Sequence, residues 1–121
     1  MTAPLIDASL ATGMDTVRAI HASDLRAEDA LAACIERITA TEARVNAFTD
    51  ATFARAMREA QVIDAMRAHG DALPPLAGLP YAVKNLFDIE GLTTRAGRKV
   101  RNGEPAARED AVLVQRLPQP A

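Results

Sequence analysis

A chain of 121 residues is long enough for one domain or part of one. Its 14 basic and 16 acidic residues leave a net charge of −2, which gives no electrostatic footprint for nucleic acid. Apolar residues make up 49% of the sequence but aromatic residues only 3%; with Ala supplying much of that share and burial stabilising by about 25 cal/mol per Å², the core is thin for a self-sufficient enzyme.

Met1 to Ala11 lacks the basic segment and apolar core of a signal peptide, and residues 1–13 read as a flexible start. No later stretch approaches the ~20 apolar residues of a membrane span, so neither membrane nor nucleic acid is an expected partner. A short helix is expected over Met14–Ala22, with Met14, Val17 and Ile20 at helical spacing and Ser23-Asp24 as its breaker. A second is expected over Ala27–Thr41. Glu28 and Asp29 oppose its positive end, and Leu31, Cys34, Ile35 and Ile38 form one apolar stripe. Arg26 stands where a Ser, Thr or Asp cap would be usual.

Cys34, the single cysteine, can form no intrachain disulfide, which fits a reducing cytoplasm. On the stripe it reads as a structural thiol. Val45-Asn46-Ala47-Phe48 is a short extended candidate. Thr49 or Asp50 is placed to cap a third helix over Ala51–Ala68, with Phe53, Met57, Ala60 and Ile63 along one side and Gly70 at its end. His21 and His69 fall near helix ends, where they meet the negative end of the dipole. No His, Cys or carboxylate group has metal-ligand spacing, so no metal is expected.

The composition then changes. Pro74, Pro75, Gly78 and Pro80 mark an ordered connection, and Tyr81-Ala82-Val83 is short, uncharged and β-prone, as a strand start would be. Gly78-Leu79-Pro80 has no phosphate-loop context and reads as setting the entry angle of that strand. Lys84 follows, with Leu86 and Phe87 after it. At the end of an apolar strand a lysine is partly desolvated, which favours the neutral form that acts as a base. Lowering its pKa from about 10.4 to about 7 corresponds to roughly 4–5 kcal/mol, which only a surrounding fold supplies. Gly91, Gly97 and Gly103 punctuate a basic stretch. Arg95, Arg98, Lys99 and Arg101 there are read first as solvated loop charge, then as a contact to an acidic substrate group or a weak phosphate site. A last helix is expected over Glu109–Leu117, with Val112, Leu113 and Leu117 as its apolar side and Pro118 and Pro120 as its stop.

The run from Leu76 to Gly97, with Gly78, Pro80, Val83, Lys84, Asn85, Asp88, Gly91, Thr94 and Gly97 at their spacings, resembles the lysine-bearing segment of the amidase-signature enzymes. The lead-in helices and the Glu36-Arg37-Ile38 and Val45-Asn46-Ala47-Phe48 fragments are also similar, so the resemblance covers about Thr16 to Leu117. The wording Pro80-Tyr81-Ala82-Val83-Lys84-Asn85-Leu86-Phe87-Asp88-Ile89 is most similar to the biuret-type amidohydrolases, with the A subunits of tRNA-dependent amidotransferases nearby. The resemblance implies an α/β class: an incomplete N-terminal part of the amidase-signature fold, residues 1–121, whose helices lead into the first strand of a mixed sheet. It implies hydrolysis of a carboxamide or urea-like C–N bond by a Ser–cis-Ser–Lys triad, with no cofactor and a small-molecule amide as substrate of the full-length enzyme.

Of that triad only the lysine maps, at Lys84. Ser9 and Ser23, the only serines, stand in other contexts. A base without its nucleophile hydrolyses nothing by this route, so the chain alone is expected to be inactive. Asn85 replaces a common aspartate, and Arg98 a small residue. Residues 118–121 read as an aberrant tail of the kind a frameshift or premature stop produces; an amidase-like continuation in another frame past codon 117 is the check. The reading of another class is a small helical module that binds a partner through exposed apolar stripes.

Overall fold

The computed structural model describes residues 12–117. The expected aberrant tail at 118–121 lies outside them, as does the expected flexible start apart from Thr12 and Gly13. The described chain divides into two compact units, 12–80 and 81–117.

In the first unit, α1 spans Gly13–His21, α2 Ala27–Val45 and α3 Phe53–Ala68. Helix α1 starts on a capping box. The Thr12 hydroxyl accepts from the Asp15 N–H at 3.1 Å, and the Asp15 carboxylate accepts from the Thr12 N–H at 2.9 Å. The helix ends where Ser23 turns left-handed at φ 63° and the Asp24 N–H reaches back to the Ala19 carbonyl at 2.9 Å. Val17 and Ile20 are buried as their spacing predicts, whereas Met14 is exposed.

The stripes of α2 and α3 meet in a small core. Ala27, Leu31 and Ala60 are buried, with Ile35, Ala56, Met57 and Ile63 packed against them. Cys34 is half-buried. Helix α2 runs four residues past its expected end at Thr41, to Val45. The extended segment expected over Val45–Phe48 is therefore not formed. Asn46 takes a left-handed cap at φ 50°, its N–H bonding the Glu42 carbonyl at 2.7 Å, and the Glu42 side chain then accepts from the Phe48 N–H at 2.9 Å. Asn tolerates that conformation better than most side chains, so it ends a helix here. Neither Thr49 nor Asp50 is the N-cap of α3; Thr52 is, without a side-chain bond. Gly70 closes α3 as expected, at φ 79°, with the Asp71 N–H bonding the Met66 carbonyl at 3.0 Å.

The missing cap at Arg26 is supplied from α3. Asp64 accepts from the N–H groups of Ala27 and Glu28 at 2.8 and 3.1 Å, satisfying two amides that a helix start leaves open. One turn further on, Arg67 donates to the carbonyl of Leu25 at 2.7 Å and to that of Ile20 at 3.4 Å. This pair of side chains therefore fastens both sides of the connection between α1 and α2.

Residues 74–80 return along α1: His21 Nε2 pairs with the Pro74 carbonyl at 3.2 Å, and Leu79 lies 3.6 Å from the Cβ position of Gly13.

The second unit holds a 3-10 turn at Lys99–Arg101 and a short helix α4 at Val112–Arg116. The strand expected at Tyr81–Val83 is not formed, and among the described residues there is no strand at all. A strand exists only as half of a hydrogen-bonded ladder, and no ladder forms over 81–83 among the described residues. The described chain is helical, and the α/β class expected from the resemblance is not borne out in it. Helix α4 is also shorter than the expected Glu109–Leu117, and it buries Val114 while Val112 and Leu113 stay exposed.

Candidate functional site

Lys84 lies on an irregular segment and is exposed. The partial desolvation expected of it is not supplied by the described residues, because the strand and its covering layer are not there to exclude water. Its backbone is nonetheless held. The Lys84 carbonyl accepts from the Leu86 and Phe87 N–H groups at 2.6 and 3.1 Å, turning the chain sharply after the lysine.

The next residue fixes this turn to a distant loop. Asn85 Oδ1 accepts from the Arg95 N–H at 2.8 Å, and the Asn85 carbonyl accepts from the Ala96 N–H at 2.9 Å. An aspartate would offer the same acceptor, which accounts for Asn standing in its place. Asp88 makes the following tie: its carboxylate accepts from the Thr94 hydroxyl at 2.5 Å and its carbonyl from the Ala111 N–H at 2.9 Å. Thr93 donates to the Glu104 carbonyl at 2.9 Å, and Asp110 accepts from the Glu90 N–H at 2.9 Å. The polar positions of the lysine-bearing run are thus braces for a loop with almost no regular structure. Asp110 lies outside that run, and nothing in its local sequence marks it as a brace.

The basic cluster does not act as one group. Arg101 is engaged by Glu104 at 2.7 Å, which raises the guanidinium pKa and lowers that of the Glu104 carboxyl. Arg98 and Lys99 are exposed, and Arg95 is half-buried. His21 and His69 lie at the carboxyl ends of α1 and α3. Among the described residues no cluster of His, Cys, Asp or Glu could hold a metal ion, and no helix is long and apolar enough to cross a membrane. Ser9 lies outside the described residues. Ser23 occupies the left-handed turn after α1, in the unit that does not contain Lys84.

Comparison with known proteins agrees with the lysine-bearing run. The amidase family model matches residues 29–120. The chain is 53% identical over 104 residues to AtzE of Pseudomonas sp. (strain ADP), a 1-carboxybiuret hydrolase component, covering 86% of this chain and 23% of that protein. It is 39% identical over 99 residues to the A subunit of the glutamyl-tRNA(Gln) amidotransferase of Moorella thermoacetica, covering 81% of this chain and 20% of the relative. A solved structure superposes with a TM-score of 0.87 at 51% identity, covering 88% of this chain and 23% of that one; it is described as "An unexpected vestigial protein complex reveals the evolutionary origins of an s-triazine catabolic enzyme". The chain therefore spans under a quarter of the length of these relatives. With the family model matched over most of its length, the chain belongs to the amidase family.

Proposed function

We propose that this chain carries the lysine-bearing, amino-terminal part of a hydrolase of carboxamide or urea-like C–N bonds, and that it is inactive by itself. Lys84 is the base of a Ser–cis-Ser–Lys triad whose serines come from polypeptide outside these 121 residues. In that triad the nucleophilic serine oxygen bonds to the carbonyl carbon while its proton passes through the second serine to the lysine amine. The C–N bond breaks as the leaving nitrogen takes up that proton, and water then releases the acyl group. The reaction draws on no metal or cofactor. The substrate of the complete enzyme is a small-molecule amide, and a cytoplasmic setting fits the single unpaired thiol of Cys34.

The observation that carries this reading is the braced run around Lys84, in a chain whose 53%-identical relative belongs to a hydrolase. The higher identity to that hydrolase component than to the 39%-identical amidotransferase one favours hydrolysis over amide transfer. The test is an assay of the purified chain on simple amides and on biuret-like compounds. No turnover is expected. Turnover that Lys84→Ala abolishes would overturn the claim of inactivity.

A further inference from the structure

Among its described residues, the second unit buries one large apolar side chain, Val114, yet exposes several others. Leu86 is 58% exposed and Phe87 36%, while Val112 is 60% and Leu113 52%. These are two separate dipeptides in sequence, but the hydrogen bond from the Ala111 N–H to the Asp88 carbonyl, 2.9 Å, ties the backbone next to one to the backbone next to the other. Lys84 stands two residues before Leu86. An irregular segment with a single buried apolar residue gains little from its own burial to offset the entropy of ordering its backbone. Its exposed apolar positions are therefore a surface to be covered.

We infer that the face formed by Leu86–Phe87 and Val112–Leu113 docks a polypeptide carrying the remaining part of an amidase fold. The solved relative indicates this occupant: the backbone superposes at a TM-score of 0.87 on 23% of a longer chain, so there the same conformation is one portion of a larger fold. The inference rests on the hydrolase reading for its chemistry, because the polypeptide that covers this face is also the one that brings serines to Lys84. A second copy of this chain is the competing occupant.

The experiment mixes the full 121-residue chain with a recombinant polypeptide of the 53%-identical Pseudomonas relative from which the stretch matching this chain has been removed. Binding is read by sedimentation velocity and calorimetry. A one-to-one complex is expected, weakened about tenfold or more by Leu86→Glu or Leu113→Glu, since each places a charge in a dry contact. Val62→Glu, at a position 58% exposed on α3 of the first unit, leaves binding unchanged. Circular dichroism of each variant, expected to match the parent chain because the sites are exposed, separates lost binding from lost folding. Absence of a complex overturns the inference. So does a complex indifferent to both face variants, or self-association of the 121-residue chain that those variants abolish. A complex that forms but hydrolyses no amide supports the docking surface and overturns only the hydrolase reading.

Discussion

Gly78 belongs to the lysine-bearing run, but it acts on the first unit. It sits at φ 78°, and a Cβ there would lie 2.7 Å from Ile20 Cδ1 and 3.0 Å from Ala27 Cβ. Ile20 is fully buried and Ala27 is in the core, so neither can move aside cheaply. Gly78→Ala is expected to cost about 2–3 kcal/mol, from left-handed strain and overpacking together. Urea unfolding reads this directly, and a midpoint unchanged from the parent chain would contradict it. The sequence marks Gly78 through its spacing, but not through the neighbours that make it necessary, which lie more than 50 residues earlier.

A second residue-level expectation concerns Asp15. The Thr12 N–H, then the Thr12 hydroxyl, hold its carboxyl below the ordinary Asp value. A carboxyl with a lowered folded-state pKa contributes stability that is present above its unfolded value and lost as pH falls through the folded one. The start of α1 should therefore fray on acidification from about pH 5 to pH 2. Amide shifts of residues 13–16 report this, and Asp15→Asn, which removes the titrating carboxyl, should abolish the pH dependence.

Among the elements, the sequence is most legible where periodicity and burial coincide. The stripe of α2 meets that of α3 through Leu31, Ile35, Met57, Ala60 and Ile63, all of them predicted from spacing. The pattern is less informative where an element depends on residues far away in the chain. Tyr81-Ala82-Val83 has strand-like composition, yet β-propensity becomes a strand only beside a partner. Arg26 likewise looks like an uncapped helix start because its cap is Asp64, 38 residues later. Asp64 is only 11% exposed, so its bonds to Ala27 and Glu28 are little screened. Asp64→Ala should cost about 1–2 kcal/mol, as loss of a helix cap does. Asp64→Asn, which keeps an acceptor oxygen, should cost less. Thermal melts followed in the far ultraviolet rank the two, and an Asp64→Ala melt equal to that of the parent chain would mean that the carboxylate is not acting as the cap.

For the molecule as a whole, the family was legible from the lysine-bearing run, while the environment of that lysine was not. The resemblance singles out Lys84, but burial is a property of the layers around a residue, and the described residues leave it exposed. The same division separates the braces from the chemistry. Asn85, Asp88 and Thr94 appear in the motif at the positions that hold the loop, and they make those bonds in a chain spanning 23% of its 53%-identical relative.

The cap that Asp64 places on α2 also affects how the first unit opens. Two amides at the start of one helix are held by a side chain of another, so their solvent exchange follows the loosening of α3 rather than fraying of α2. In native-state hydrogen exchange, the amides of Ala27 and Glu28 should be protected despite standing at a helix terminus, and should respond to denaturant as the middle of α3 does. Asp64→Ala should return both to the fast exchange of an ordinary helix end.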